Sequence, residues 1–293
     1  MFLERFFNYI SFEKKYSAHT VLSYQTDINQ YQDFLSVIEA DILSATHRDV
    51  RNWVVSLMDD QKSSRTVNRK ISALKTLYSF LLREELIEVN PMQKVLAPKI
   101  AKTLPVFLET EKLNALLDYE GIFEEGFEGK RDKLILEFLF GTGVRLSELL
   151  GLREKDVDFG NKTVKVLGKG NKERIIPMSE SLICSIRDYL LKKKSGVIYN
   201  NSDALIVTNK GLQAYPEFIY RTVKRYLSII SSKEKKSPHV LRHTFATALL
   251  NAGADINAIK ELLGHASLAA TQVYTHNSIE RIKTIYKQAH PKA

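Results

Sequence analysis

The amino-acid sequence predicts a mainly α-helical fold with a small β component, divided into an N-terminal helical bundle and a longer C-terminal mixed α/β domain. Three observations carry this. Four amphipathic patterns at helical spacing fill residues 1–88 with no strand signal between them. The pattern fails between Asn90 and Pro105, where Asn90-Pro91, Ala97-Pro98 and Leu104-Pro105 are turn or extended signals among scattered lysines, so 89–107 reads as a linker. Beyond it, 108–293 combines further helical patterns with one pair of short β-rich runs around a glycine-containing turn.

Each element has a local cause. The first helix, about 2–14, places Leu3, Phe6, Phe7 and Ile10 on one face. The second is capped by Ser17 and buries Val21, Tyr24, Ile28, Tyr31 and Leu35; the third starts near Thr46 and buries Val50, Trp53, Val54 and Leu57. The fourth starts at Ser63 or Ser64 with a stripe from Val67 to Leu81, and its first turns carry Arg65, Asn68, Arg69 and Lys70. A basic helix start of this kind is a candidate DNA-binding element. In the second domain Thr110-Glu111 opens a helix through Leu117, residues 120–130 read as an acidic surface loop, and a helix from about Arg131 ends at Gly141-Thr-Gly143. A short helix carrying Arg145 at its first turn follows. Thr163–Leu167 and Glu173–Pro177 form a hairpin with a basic tip, Gly168 to Asn171. Helices from Ser179 to Lys193 and from Pro216 to Ile230 flank a short extended piece, Ala204–Thr208. Ser237-Pro238 starts the next helix, Gly264 stops one begun near Asp255, Ser267 caps a helix carrying Tyr274, and Ser278 caps the last.

Composition narrows the function. Lys and Arg outnumber Asp and Glu, 43 to 34, for a net charge of +9, which favours a polyanionic partner such as nucleic acid. A single cysteine, Cys184, excludes an internal disulfide and a four-cysteine zinc site, and reads as a small buried core residue. No apolar run reaches the roughly 18 residues of a membrane span, and Glu4 and Arg5 break the N-terminus too early for a signal peptide, so a cytoplasmic location is expected.

The chemistry-bearing residues cluster late in the chain. His239 and Arg242 sit one turn apart, His265 follows the Gly264 stop, and Tyr274 lies two turns into the next helix. Such a set suits a phosphodiester under attack. Arginine forks donate paired charge-assisted hydrogen bonds and stay protonated, which stabilises the extra charge of a phosphorane-like transition state; Arg145 and Arg242 are the pair. Tyr274 is the candidate nucleophile, attacking phosphorus to leave a 3′-phosphotyrosine and a free 5′ hydroxyl, with no need for metal, ATP or other cofactor because the adduct stores the bond energy. His239 is placed to take up or return a proton and His265 to bond a phosphate oxygen. Lys169 on the hairpin tip is the candidate acid for the departing 5′ oxygen, with Lys172 as its fallback and a DNA contact; Glu148 would orient a side chain or a backbone amide.

These residues in this order resemble the tyrosine recombinases: Arg145 with Ser147-Glu148-Leu149, Gly168-Lys169-Gly170 through Arg174, His239-Val-Leu-Arg242-His243 through Thr247, Leu263-Gly264-His265, and Tyr274. Ser17 to Thr20 with Tyr24, and the ending His290-Pro291-Lys-Ala, look like the XerC/XerD branch, nearer XerD. The resemblance covers essentially the whole chain. It implies a four-helix SAM-like core-binding domain over 1–88 and a catalytic domain over 108–293 whose final helix docks into a neighbouring protomer. It also implies a clamp on double-stranded DNA, and a homo- or hetero-tetramer with a second Xer-type recombinase on two sites that passes through a Holliday junction. Chromosome-dimer resolution, with a DNA translocase as a possible further partner, is the expected role; integration of a mobile element is the alternative.

Three rival readings have distinct signatures. A zinc site built on His239, His243, His265 and His276 would have to tolerate the Arg242 cation among its ligands. A non-catalytic DNA-binding protein of the same fold would not need the full set of reactive residue types. A type IB topoisomerase shares the chemistry but works as a monomer.

Overall fold

The computed structural model describes residues 2–100, 108–119, 121–168, 172–195, 202–232 and 236–264. Lys169, the His265 to His276 stretch with Tyr274, the helices expected from Ser267 and Ser278, and the end of the linker lie outside the described residues. Contacts divide the chain into two units, Met1–Thr103 and Leu104–Ala293.

The first unit is a helical bundle: α1 (Phe2–Asn8), α2 (Ala18–Val37), α3 (His47–Asp59) and α4 (Ser64–Arg83). Its helix starts are fixed by side chains. Ser17 and Ser63 accept from the amides of Thr20 and Thr66, and Thr46 and Asp49 bond each other's amides in a capping box. Phe6, Ile28, Tyr31, Trp53, Val67, Leu74 and Tyr78 fill the core. Two expectations change here. The first helix is not continuous α-helix, because Tyr9–Glu13 winds as a π-turn that still buries Ile10. Residues 90–98 are not free linker: Met92 and Val95 pack into this core, and Asn68 Nδ2 donates to the Pro98 carbonyl at 2.9 Å.

The basic start of α4 is only partly a surface. Arg65 is exposed. Lys70, by contrast, is 4% exposed, donates to Asp27 at 2.9 Å and to Gln30, and lies 5.8 Å from the Trp53 ring centre. Asp27 is itself fully buried and also accepts from Arg69. The expected DNA contact from Lys70 is therefore corrected: its ammonium neutralises a core carboxylate, which a buried Asp27 requires.

The second unit is built around α6 (Phe127–Thr142), in which Leu134, Ile135, Leu136, Phe138, Leu139 and Phe140 are all buried. From Leu134 to Phe140 only Glu137 is polar, and a helix segment apolar on nearly every side must be central. Helices α5 (Thr110–Asp118), α8 (Glu180–Ser195), α9 (Pro216–Ile230) and α10 (Pro238–Asn251) pack on it. Among the described residues the other α-helices are the short α7 (Leu146–Gly151) and α11 (Ile256–Leu263). An antiparallel sheet of order β1-β2-β3 joins Val157–Asp158, Thr163–Leu167 and Glu173–Pro177, with Val166 facing Arg174. The expected strand at Ala204–Thr208 is only two isolated bridges, Arg153 to Ala204 and Val207 to Gln213.

The acidic stretch is not a simple loop. Helix α6 begins inside it at Phe127, Phe123 stacks on Tyr226 and Phe127 on Tyr189, while Glu124 accepts from Arg225 at 2.6 Å. Aromatics four apart seat the segment on the core, and Glu124 and Glu128 bond Arg225 and Asn209 at the surface. Cys184 also departs from expectation, being exposed on α8.

Candidate active site

The site forms where three short elements meet the C-terminal end of α11. Gly143 ends α6 in a left-handed turn with φ of 60°, and a Cβ there would lie 2.3 Å from a ring carbon of Phe245, so glycine is required twice over. The chain then turns directly into α7, whose N-cap is Arg145. Ser237 and Pro238 start α10, which carries His239 and Arg242, and the buried Thr244 hydroxyl accepts the Leu108 amide at 3.0 Å.

Glu148 is the hub. It is 6% exposed, and its Oε2 accepts the Arg145 amide at 2.7 Å while Oε1 accepts Arg145 Nη1 at 2.8 Å. Arg174, reaching inward from β3, closes a parallel fork on the same carboxylate: Nη1 to Oε1 and Nη2 to Oε2, both 2.8 Å. Burial alone would raise the Glu148 carboxyl. The hydrogen bonds from Arg174 and from the Arg145 amide outweigh it and hold the group down at about 2.

Three consecutive backbone carbonyls at the end of α11 tie the arginines together. Leu262 accepts Arg174 Nε at 2.9 Å, Leu263 accepts Arg242 Nη2 at 2.7 Å, and Gly264 accepts Arg145 Nη2 at 3.0 Å. These carbonyls have no partner within the helix, and the helix end carries partial negative charge, so cations belong there. Arg242 also donates to the Gly143 carbonyl. Its guanidinium is lowered to about 10, by burial first and then by the neighbouring Arg145 charge, and it stays protonated near neutral pH.

The structure thus brings Arg145, Glu148 and Arg242 together. His239 lies on the same helix as Arg242, one turn earlier, and is exposed. Lys172 is exposed at the base of the hairpin, where its carbonyl accepts the Gly168 amide at 2.8 Å. Sequence reasoning missed Arg174. The signal lies in the strand register: pairing Arg174 with Val166 puts it on the inward side of β3 beside Ile176, and a charge at an inward position needs a buried counter-ion. Among the described residues, no group of three or more His, Cys, Asp or Glu could hold a metal ion.

Residues 107–281 match the phage integrase family, and 3–85 match the phage integrase N-terminal SAM-like domain. The chain belongs to the phage integrase family. Its relatives include a tyrosine recombinase XerC from Chlorobaculum tepidum, 36% identical over 99% of this chain and 94% of the relative. Another XerC, from Listeria innocua, is 39% identical over 99% of this chain and 97% of its own. Among solved structures, a XerA recombinase is similar at 28% identity and a TM-score of 0.50, covering 100% of this chain and 99% of that one. A XerH site-specific recombinase bound to a palindromic difH substrate gives a TM-score of 0.70 at 23% identity, over 90% of this chain and 78% of that one, and speaks to the fold. The likeness places this phage integrase family member in the XerC/XerD branch; the relatives named bear the XerC name. By class it is a tyrosine-type site-specific recombinase, an enzyme that breaks and rejoins DNA. Among the described residues no helix is long and apolar enough to cross a membrane.

Proposed function

We propose that the chain grips duplex DNA and exchanges its strands at defined sites through a covalent 3′-phosphotyrosine at Tyr274. The observation that carries this is the convergence of Arg145 and Arg242 on adjacent carbonyls, Gly264 and Leu263, at the end of α11. Each guanidinium keeps N–H groups that those bonds do not use, so an anion held between them meets donors already in place. Three arginines against one carboxylate leave the site positively charged. In this reading the Tyr274 oxygen attacks phosphorus, the bond to the 5′ oxygen breaks, and Lys169 protonates that oxygen. His239 takes up or returns the nucleophile's proton and His265 bonds a non-bridging oxygen. The energy of the broken ester bond stays in the phosphotyrosine, which is why neither ATP nor metal is required. Arg65, Arg69, Asn68 and Lys172 are the proposed DNA contacts outside the reacting group.

Incubation with a nicked suicide duplex tests the chemistry. The full chain should form an SDS-stable protein–DNA adduct, and Tyr274→Phe should abolish it while DNA binding persists. An adduct in that variant would remove Tyr274 as nucleophile. No adduct from the wild-type chain on a nicked duplex that it binds specifically would support the non-catalytic reading.

At the finer level we propose chromosome-dimer resolution in the cytoplasm, by a tetramer on two sites with a second Xer-type recombinase and under a DNA translocase. The XerC names of its relatives support that role, and the His290-Pro291 ending keeps a XerD-like member of the pair as the reading. Genome-wide mapping of the covalent junction decides it. One site near the replication terminus means dimer resolution; the end of a mobile element means integration.

A further inference from the structure

Arg174 differs from the two arginines that edge the site. It is 4% exposed, whereas the Arg145 side chain is 32% exposed. All three of its guanidinium nitrogens are committed to protein, two to Glu148 and one to the Leu262 carbonyl. Gly264 makes room for it: a Cβ there would lie 3.1 Å from Arg174 Nη1.

We infer that Arg174 is a positioning residue for strand cleavage, fastening α7 to the end of α11 so that Arg145 and Arg242 are held at a fixed spacing. The inference rests on the proposed strand cleavage. From β3, Arg174 bonds both the Glu148 carboxylate, which orients Arg145 through two contacts, and the helix end that anchors Arg145 and Arg242, so it braces from a third element the same two groups that Arg145 itself touches. Without it, Glu148 can swing with Arg145, and the end of α11 can shift relative to α7. The two guanidiniums then no longer share one frame. Lysine cannot replace it, because a point charge on a flexible stem cannot close the fork on Glu148 and reach Leu262 at once. Arg174 is buried behind Glu148 and the end of α11, so DNA does not reach its remaining N–H groups and it acts through its neighbours.

Single-turnover cleavage by the full chain tests this, with DNA affinity measured in parallel. Arg174→Lys should leave DNA affinity unchanged and slow cleavage on the order of 100-fold, the effect expected when a reacting group is displaced by about 1 Å. The decisive readout is Arg145→Ala in both backgrounds. If Arg174 works by placing Arg145, that substitution costs much less cleavage in the Arg174→Lys protein than in the wild type. Multiplicative losses, or wild-type cleavage by Arg174→Lys, overturn the inference. A wild-type chain that forms no adduct overturns the strand-cleavage reading instead, so the two failures are distinct. Nitrogen-15 NMR of the wild-type guanidinium groups covers the case in which Arg174→Lys does not fold. The Arg174 Nε–H should be protected from exchange and unmoved by DNA, while those of Arg145 and Arg242 shift; an Arg174 signal that exchanges fast and moves with DNA sinks the inference.

Discussion

At the scale of single residues, the site is organised by a carboxylate that never has to touch substrate. Glu148 is held down at about 2 against its ordinary 4.5, because the bonds from Arg174 and Arg145 outweigh a burial that on its own would raise it. A carboxyl depressed in the folded state contributes stability that is complete above the unfolded value and is lost as pH falls through the folded one. The window is therefore about pH 4.5 down to 2, and its size about 3 kcal/mol. Glu148→Gln should be less stable than wild type at neutral pH, and urea melts should converge as pH drops towards 2; a gap that stays constant would break the assignment. Arg145, Glu148 and Arg242 were legible in the sequence because each sits at a helix start or one turn from another marked residue. Arg174 was not, since Ile175-Ile176 beside it leaves the inward face of β3 ambiguous until the pairing with Val166 is known. Lys70 misled for the opposite reason: a lysine in a basic row reads as surface, and only the buried Asp27 on a distant helix explains it.

At the scale of elements, helix starts were readable because capping is local. Ser17, Thr46 and Ser63 each bond amides within three residues. The π-turn at Tyr9–Glu13 and the early start of α6 depend on what the aromatics meet across the core, which no window of sequence contains. The turn between α6 and α7 sets the site, and its glycine can be tested. Gly143→Ala combines a left-handed φ of 60° with a contact of 2.3 Å to Phe245, and should destabilise the chain by about 2 kcal/mol or more. Gly151, at the end of α7, has nothing within 4 Å of a built Cβ and no positive φ, so Gly151→Ala should be neutral or stabilising by about 0.5 kcal/mol. Urea denaturation of the two variants separates them. Equal losses would mean that the Gly143 turn relaxes freely. Because the Gly143 carbonyl accepts from Arg242, Gly143→Ala should also slow cleavage more than it weakens binding.

At the scale of the whole molecule, the two units have separate cores, and most of the excess of positive charge lies in the second, +7 against +2 in the first. The division was visible in the loss of helical pattern after residue 88, but the place where the first core ends was not, because Met92 and Val95 are apolar residues in a stretch of turn signals. On the proposed reading, DNA binding is dominated by phosphate contacts, so log affinity should fall linearly with log salt as counterions are released. That slope counts contacts and can sort the cations of α4. Arg65 is exposed, so Arg65→Ala should flatten the slope by about one unit with little change in stability. Lys70 is buried on Asp27, so Lys70→Ala should leave the slope intact while lowering stability by about 3 kcal/mol, the cost of an unpaired core carboxylate. Fluorescence anisotropy over a salt series, with urea melts of the same proteins, measures both quantities. A slope change in Lys70→Ala at unchanged stability would return that residue to the DNA surface and undo the structural role that its burial implies.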